Sequence, residues 1–164
     1  SSVVVIFESV VAVLPIVICF QSLVLDMAGN VGTQSLAVTI RVLMDENLNT
    51  RKKLYLLGKE IRIGFFNGIS LGLMALVFLG VYIHFFKKYA WLSAFLISGC
   101  VGLSLVVAMF VSSMIGTIVP MFFHKIHVDP AVASGPLITT VNDLVAVVTY
   151  YGLAMVFLFD VFHI

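Results

Sequence analysis

An all-α integral membrane bundle is the fold class this sequence predicts, and three observations predict it. Of the 164 residues, 62% are hydrophobic and 10% are charged, against about 45–50% and about 25% in soluble domains. Polar breaks divide the chain into apolar runs that reach the roughly 20 residues needed to cross a hydrocarbon core. An acidic residue, Asp143, stands inside one of those runs. The length allows about four or five spans with short connections and leaves no separate soluble domain.

The elements follow in order. Residues 1–9, closed by Glu8, read as the end of a first span. No basic segment precedes this apolar start, as a signal peptide would require, so the chain is expected to be part of a longer protein with its first helix truncated. A second run, 12–43, passes Pro15 and the small polar cluster from Asp26 to Gln34 and ends near Arg41. It exceeds one crossing, so it is expected to tilt and extend into water or to kink near its glycines. Residues 45–62 form a polar connection carrying Arg51, Lys52, Lys53, Lys59, Glu60 and Arg62. Spans three to five are placed at 63–84, 91–123 and 131–161.

Lys and Arg counts orient the bundle. Arg41, Arg51, Lys52, Lys53, Lys59, Arg62 and Lys125 flank one side, and Lys87 and Lys88 the other. The positive-inside rule puts the first group in the cytoplasm and the C-terminus outside. In the third span Gly64, Gly68 and Gly72 form a GxxxGxxxG ladder for close helix approach, and Ala108, Ser112 and Gly116 give the fourth span a similar stripe. Glu60 is expected in an interfacial salt bridge with Lys59 or Arg62, Asp129 as the cap of the fifth helix ahead of Pro130, and the histidines as interfacial anchors.

Several function classes drop out. A net charge of +1 gives no broad basic face for nucleic acid. Neither a nucleophile–base pair nor an H-E-x-x-H element is present, so the chain is not read as an enzyme. Cys19 and Cys100 lie far apart in apolar surroundings and read as plain membrane-core thiols.

Two stripes carry the chemistry. On the second span helical spacing aligns Asp26, Gly29, Thr33 and Ala37, with Asn30 and Gln34 one step round. Such a face either lines an aqueous path or forms a buried hydrogen-bonded seam. On the fifth span Pro136, Thr139, Thr140 and Asp143 share a face, and Pro136 disturbs the carbonyl four residues back. A carboxylate at bilayer depth costs about 2.5–3.5 kcal/mol on insertion scales and marks a functional site or a helix–helix hydrogen bond. The stripes offer oxygen ligands, which suit Mg²⁺, Ca²⁺ or Mn²⁺; a softer metal would call for Cys or His. A single Asp per chain is a poor cage, whereas a two-fold axis would place two around one path.

The element Gly29-Asn30-Val31-Gly32-Thr33-Gln34 with Arg41, then Lys59-Glu60 with the glycine ladder, then Asp129-Pro130-Ala131 through Ser134, Pro136, Thr140 and Asp143 resemble the transmembrane domain of the MgtE family of magnesium transporters and channels. The resemblance implies a homodimer of five-helix subunits whose second and fifth helices line a central pore. It implies that Asp143 holds hydrated Mg²⁺ with the backbone carbonyl of Thr139, and that Asp26, Gly29, Thr33 and Ala37 face the pore beside Asn30, Gly135, Pro136 and Thr140. Asp26 replaces a glycine of one well-known subgroup, and Gly135 an amide side chain of some members, so Asp26 is a further candidate ligand. Family members carry a cytosolic N-terminal domain and paired CBS domains to which nothing in residues 1–164 corresponds. The expected function is Mg²⁺ passage across the plasma membrane, with Mn²⁺, Co²⁺ or Ca²⁺ as possible ions and lipid as surroundings. A Na⁺- or H⁺-coupled exchanger and a non-transporting scaffold are the alternatives.

Overall fold

The structure, a computed structural model, describes residues 15–45 and 49–157. The expected first span at 1–9, Glu8, Glu46, Asp160, His163 and the last residues of the fifth span lie outside them. Among the described residues there are four helices: α1 (Pro15–Leu43), α2 (Thr50–Lys87), α3 (Trp91–Lys125) and α4 (Pro130–Ala154), the last continuing through a π turn to residue 157. All four are long and apolar enough to cross a membrane. They correspond to the second to fifth spans read from the sequence.

The structure decides between the two alternatives for the second run, and one boundary differs from expectation. α1 is one unbroken helix through Gly29 and Gly32, so the long second run extends and does not break at its glycines. At about 1.5 Å per residue it measures roughly 44 Å, longer than the hydrocarbon core. The polar stretch before the third span is also mostly helical, because α2 starts at Thr50. Asn49 has extended backbone (φ −109°, ψ 168°), and its side-chain oxygen accepts from the Lys52 amide at 2.9 Å, which satisfies one of the orphan donors of the first turn. Lys, Glu, Leu and Arg favour helix, so the charges that mark the segment as wet do not oppose it.

α3 is the hub. It packs against α1, α2 and α4, while α1 and α2 barely touch. Its small residues permit this. A Cβ on Gly68 of α2 would come to 2.8 Å of the Val106 Cα, and one on Gly72 to 2.7 Å of the Gly102 oxygen, so the ladder in α2 is where α3 presses backbone to backbone. On another face of α3, Gly116 lies against the backbone of Gly32 and the Ser35 Cβ of α1, in line with buried Ala108 and Ser112. The hydroxyls of Ser104 and Thr117 donate to carbonyls one turn back in α3 itself, at 2.7 and 2.8 Å, which removes the cost of burying them.

The connections are short. Lys88 closes α2 in the left-handed region (φ 62°). His84 is tied there by its Nδ1 contact to the Tyr89 oxygen at 2.9 Å and by stacking on Trp91 at 3.7 Å between centroids. Asp129 caps α4, accepting from the Ala131 amide at 2.8 Å, with Pro130 in the first turn where no donor is needed. α4 returns along α1: Tyr150 donates to the Val17 carbonyl and Tyr151 to the Gln21 side-chain oxygen, both at 2.7 Å.

Candidate functional site

The return of α4 along α1 sets the two polar stripes side by side. Between them lies an open cleft of about 470 Å³ whose polar wall is Asp26, Gly29, Asn30 and Thr33 from α1 and Thr139 and Asp143 from α4. Both carboxylates are exposed on the surface of the single chain. Asp143 lies about 12 Å along the helix axis from the start of the apolar span Gly135–Phe157. An exposed carboxylate at that depth must face water, a partner or an ion, because lipid offers it no hydrogen bond.

The hydroxyls add a directional feature. Thr33 donates to the Gly29 and Asn30 carbonyls at 2.9 and 3.1 Å, and Thr139 donates to the Gly135 carbonyl at 3.2 Å. Their protons are spent on the helix backbone, so each oxygen presents lone pairs outward. The wall is therefore rich in acceptors. A hydrated cation presents only O–H donors, and acceptors are what its water shell requires. Among the described residues no group of three or more His, Cys, Asp or Glu side chains converges as a metal cage.

The remaining sequence candidates fall nearby and do not line the cleft. Ala37 is exposed one turn beyond Thr33, Pro136 and Thr140 are exposed on α4, and Gly135 is half-buried. Pro136 contributes its carbonyl, which accepts from the Thr140 hydroxyl at 3.0 Å.

Two features escaped the sequence reading. Asn142, next to Asp143, is fully buried with neither amide atom partnered among the described residues, and a side chain on Gly32 would overlap its amide. Among the described residues Glu60 forms no salt bridge, contrary to expectation. It is 1% exposed and accepts from the Ser35 hydroxyl at 2.9 Å. The reason is register: Glu60 lies one turn before Gly64, on the α2 face that packs against α3, so its side chain enters the bundle while Lys59 and Arg62 stay outside.

Comparison with known proteins places the chain in a family. The MgtE family, described as divalent cation transporter, matches residues 21–153. The chain belongs to the MgtE family. Relatives named magnesium transporter MgtE occur in Bacillus subtilis (39% identical over 140 residues, 85% of this chain and 29% of that protein) and Enterococcus faecalis (35% over 154 residues, 93% and 32%). A third, from Thermus thermophilus, is 28% identical over 152 residues, again 93% and 32%. This MgtE-family chain thus spans about a third of the length of the curated relatives it matches. MgtE proteins are membrane transporters and not enzymes, in keeping with the four long apolar helices among the described residues.

Proposed function

We propose that this chain forms the ion pathway of a Mg²⁺ transporter in the plasma membrane, with its C-terminus outside. Two copies related by a two-fold axis enclose one pore, lined by α1 and α4 of each. Asp143 holds the hydrated ion with the Thr139 carbonyl. Asp26, Gly29, Asn30, Thr33 and Ala37 line the path on α1, and Gly135, Pro136 and Thr140 on α4. The observation that carries the reading is the single cleft shared by Asp26 and Asp143, two carboxylates from different helices at bilayer depth among acceptor oxygens.

A two-fold axis facing this cleft gives four carboxylates to one path, which suits a hard divalent ion that keeps most of its waters. Passage is channel-like, down the electrochemical gradient, since the cleft offers one set of acids and no separate coupling site is needed. Mn²⁺, Co²⁺ and Ca²⁺ are the competing ions. The test is Mg²⁺ flux into liposomes carrying purified protein, wild type beside Asp143→Ala, with dimer content measured for both. Loss of flux with the dimer retained supports the proposal, and equal flux refutes it. Flux that requires an imposed Na⁺ or H⁺ gradient would replace channel flow with coupled exchange.

A further inference from the structure

Turning Glu60 inward leaves an electrostatic remainder on the outer face of α2. Lys59, Glu60 and Arg62 are close enough in sequence to neutralise one another, yet the carboxylate is buried against Ser35 while both cations are exposed. Among the described residues no carboxylate pairs with Lys59 or Arg62; the ion pair found near this end joins Lys52 to Asp45. Residues three apart are neighbours on a helix, and like charges at that spacing repel. An anion from outside the chain would relieve the repulsion.

The surroundings indicate which anion. Tyr55 precedes Lys59 by one turn and Phe66 follows Arg62 by one turn, so the four side chains form a single stripe. The two rings are 74% and 63% exposed. With Ile63 and Asn67 the stripe lines a cleft of about 460 Å³ on α2, as roomy as the acidic one and separate from it. Depth is set by the sequence. Residues 63–86 contain no Asp, Glu, Lys or Arg, and at about 1.5 Å per residue they cover roughly 36 Å, slightly more than the hydrocarbon core. Lys59 and Arg62 therefore sit at the level of the lipid phosphates, with Phe66 and Asn67 one turn deeper among the glycerol esters and upper acyl chains.

We infer that this cleft binds the headgroup of an anionic phospholipid. Arg62 takes the phosphate through its planar fork and Lys59 supplies the second charge. Tyr55 flanks the headgroup, and Ile63 and Phe66 meet the acyl chain, as aromatic and aliphatic groups at an interface do. A zwitterionic lipid carries its own cation and leaves the repulsion in place. Soluble phosphate has no chain for the apolar half of the cleft.

The test uses purified protein in detergent, titrated with phosphatidylglycerol or phosphatidylcholine and read by native mass spectrometry and by unfolding temperature. The wild type should retain phosphatidylglycerol over phosphatidylcholine and melt at a higher temperature with it. Lys59→Gln with Arg62→Gln should weaken phosphatidylglycerol binding by about 10- to 30-fold, from the contribution of two interfacial charges. Lys87→Gln with Lys88→Gln at the other end of α2 should leave it unchanged. Should the neutral pair fail to fold, the swap Lys59→Arg with Arg62→Lys keeps both charges and should keep binding. Equal retention of the two lipids, or equal weakening by both neutral pairs, overturns the inference. So does a full thermal shift from inorganic phosphate alone, which would make the occupant a free anion. None of these outcomes depends on ion passage.

Discussion

The amide of Asn142 occupies the space that a side chain at Gly32 would need. The Gly32 carbonyl also lies against Gly116 of α3, so at this residue α1 touches both α3 and α4. Asn142 immediately precedes Asp143, and the contact therefore fixes the rotation at which α4 presents its carboxylate to the α1 stripe. Gly32→Ala is expected to overpack the junction, lowering stability by about 1–3 kcal/mol and reducing Mg²⁺ flux as Asp143 is displaced. Shortening the partner, Gly32→Ala with Asn142→Ser, should recover both. Unfolding temperature in detergent and liposome flux decide it; a double variant no better than the single one would show that the contact does not set the site.

Asp26 is the residue that distinguishes this cleft from one with a single acid. It is exposed and shares the cleft with Asp143. Asp26→Gly should therefore leave the proposed dimer intact and raise the Mg²⁺ concentration for half-maximal flux on the order of tenfold, the scale of one lost charge-assisted hydrogen bond. An unchanged titration would assign Asp26 to packing.

Legibility in the sequence was uneven, and the reasons are physical. Four spans could be read because apolar runs and their polar breaks are local properties, and so could the Asp129 cap and the glycine ladder of α2, which depend on spacing along one helix. The stripe containing Asp26, Asn30 and Thr33 was legible for the same reason. What spacing along one helix cannot tell is which face meets which neighbour. Glu60 looked interfacial because two cations flank it in sequence, but its angular position follows Gly64 and enters the bundle. Asn142 was passed over beside Asp143, since its burial depends on Gly32, 110 positions earlier in the chain. The helical start of α2 was hidden by its own charges.

The Ser35–Glu60 hydrogen bond links α1 to α2 inside the bundle, and Ser35 is the one partner of this buried carboxyl group among the described residues. Removing that partner leaves the acceptor buried and unsatisfied, which costs about 1–3 kcal/mol. Ser35→Ala should therefore lower the unfolding temperature. Glu60→Gln keeps an acceptor for Ser35 at nearly the same shape and should be milder than Ser35→Ala. The reverse order in a detergent melt would mean that the negative charge of Glu60, and not its hydrogen bond, holds the junction.

The acceptor character of the cleft makes the last prediction. Thr33 and Thr139 tie their hydroxyl protons to helix carbonyls and leave lone pairs toward the space between Asp26 and Asp143. If a hydrated Mg²⁺ is read through its water shell, each hydroxyl contributes by accepting from a bound water, and its methyl group contributes nothing. Thr33→Val and Thr139→Val keep the shape of the side chain and remove the acceptor, so each should weaken half-saturation by about 2- to 10-fold, the value of one hydrogen bond. Thr33→Ser and Thr139→Ser keep the acceptor and should behave as wild type. Flux titrations on the four variants separate the readings, because a role in packing alone would make valine the harmless change and serine the costly one.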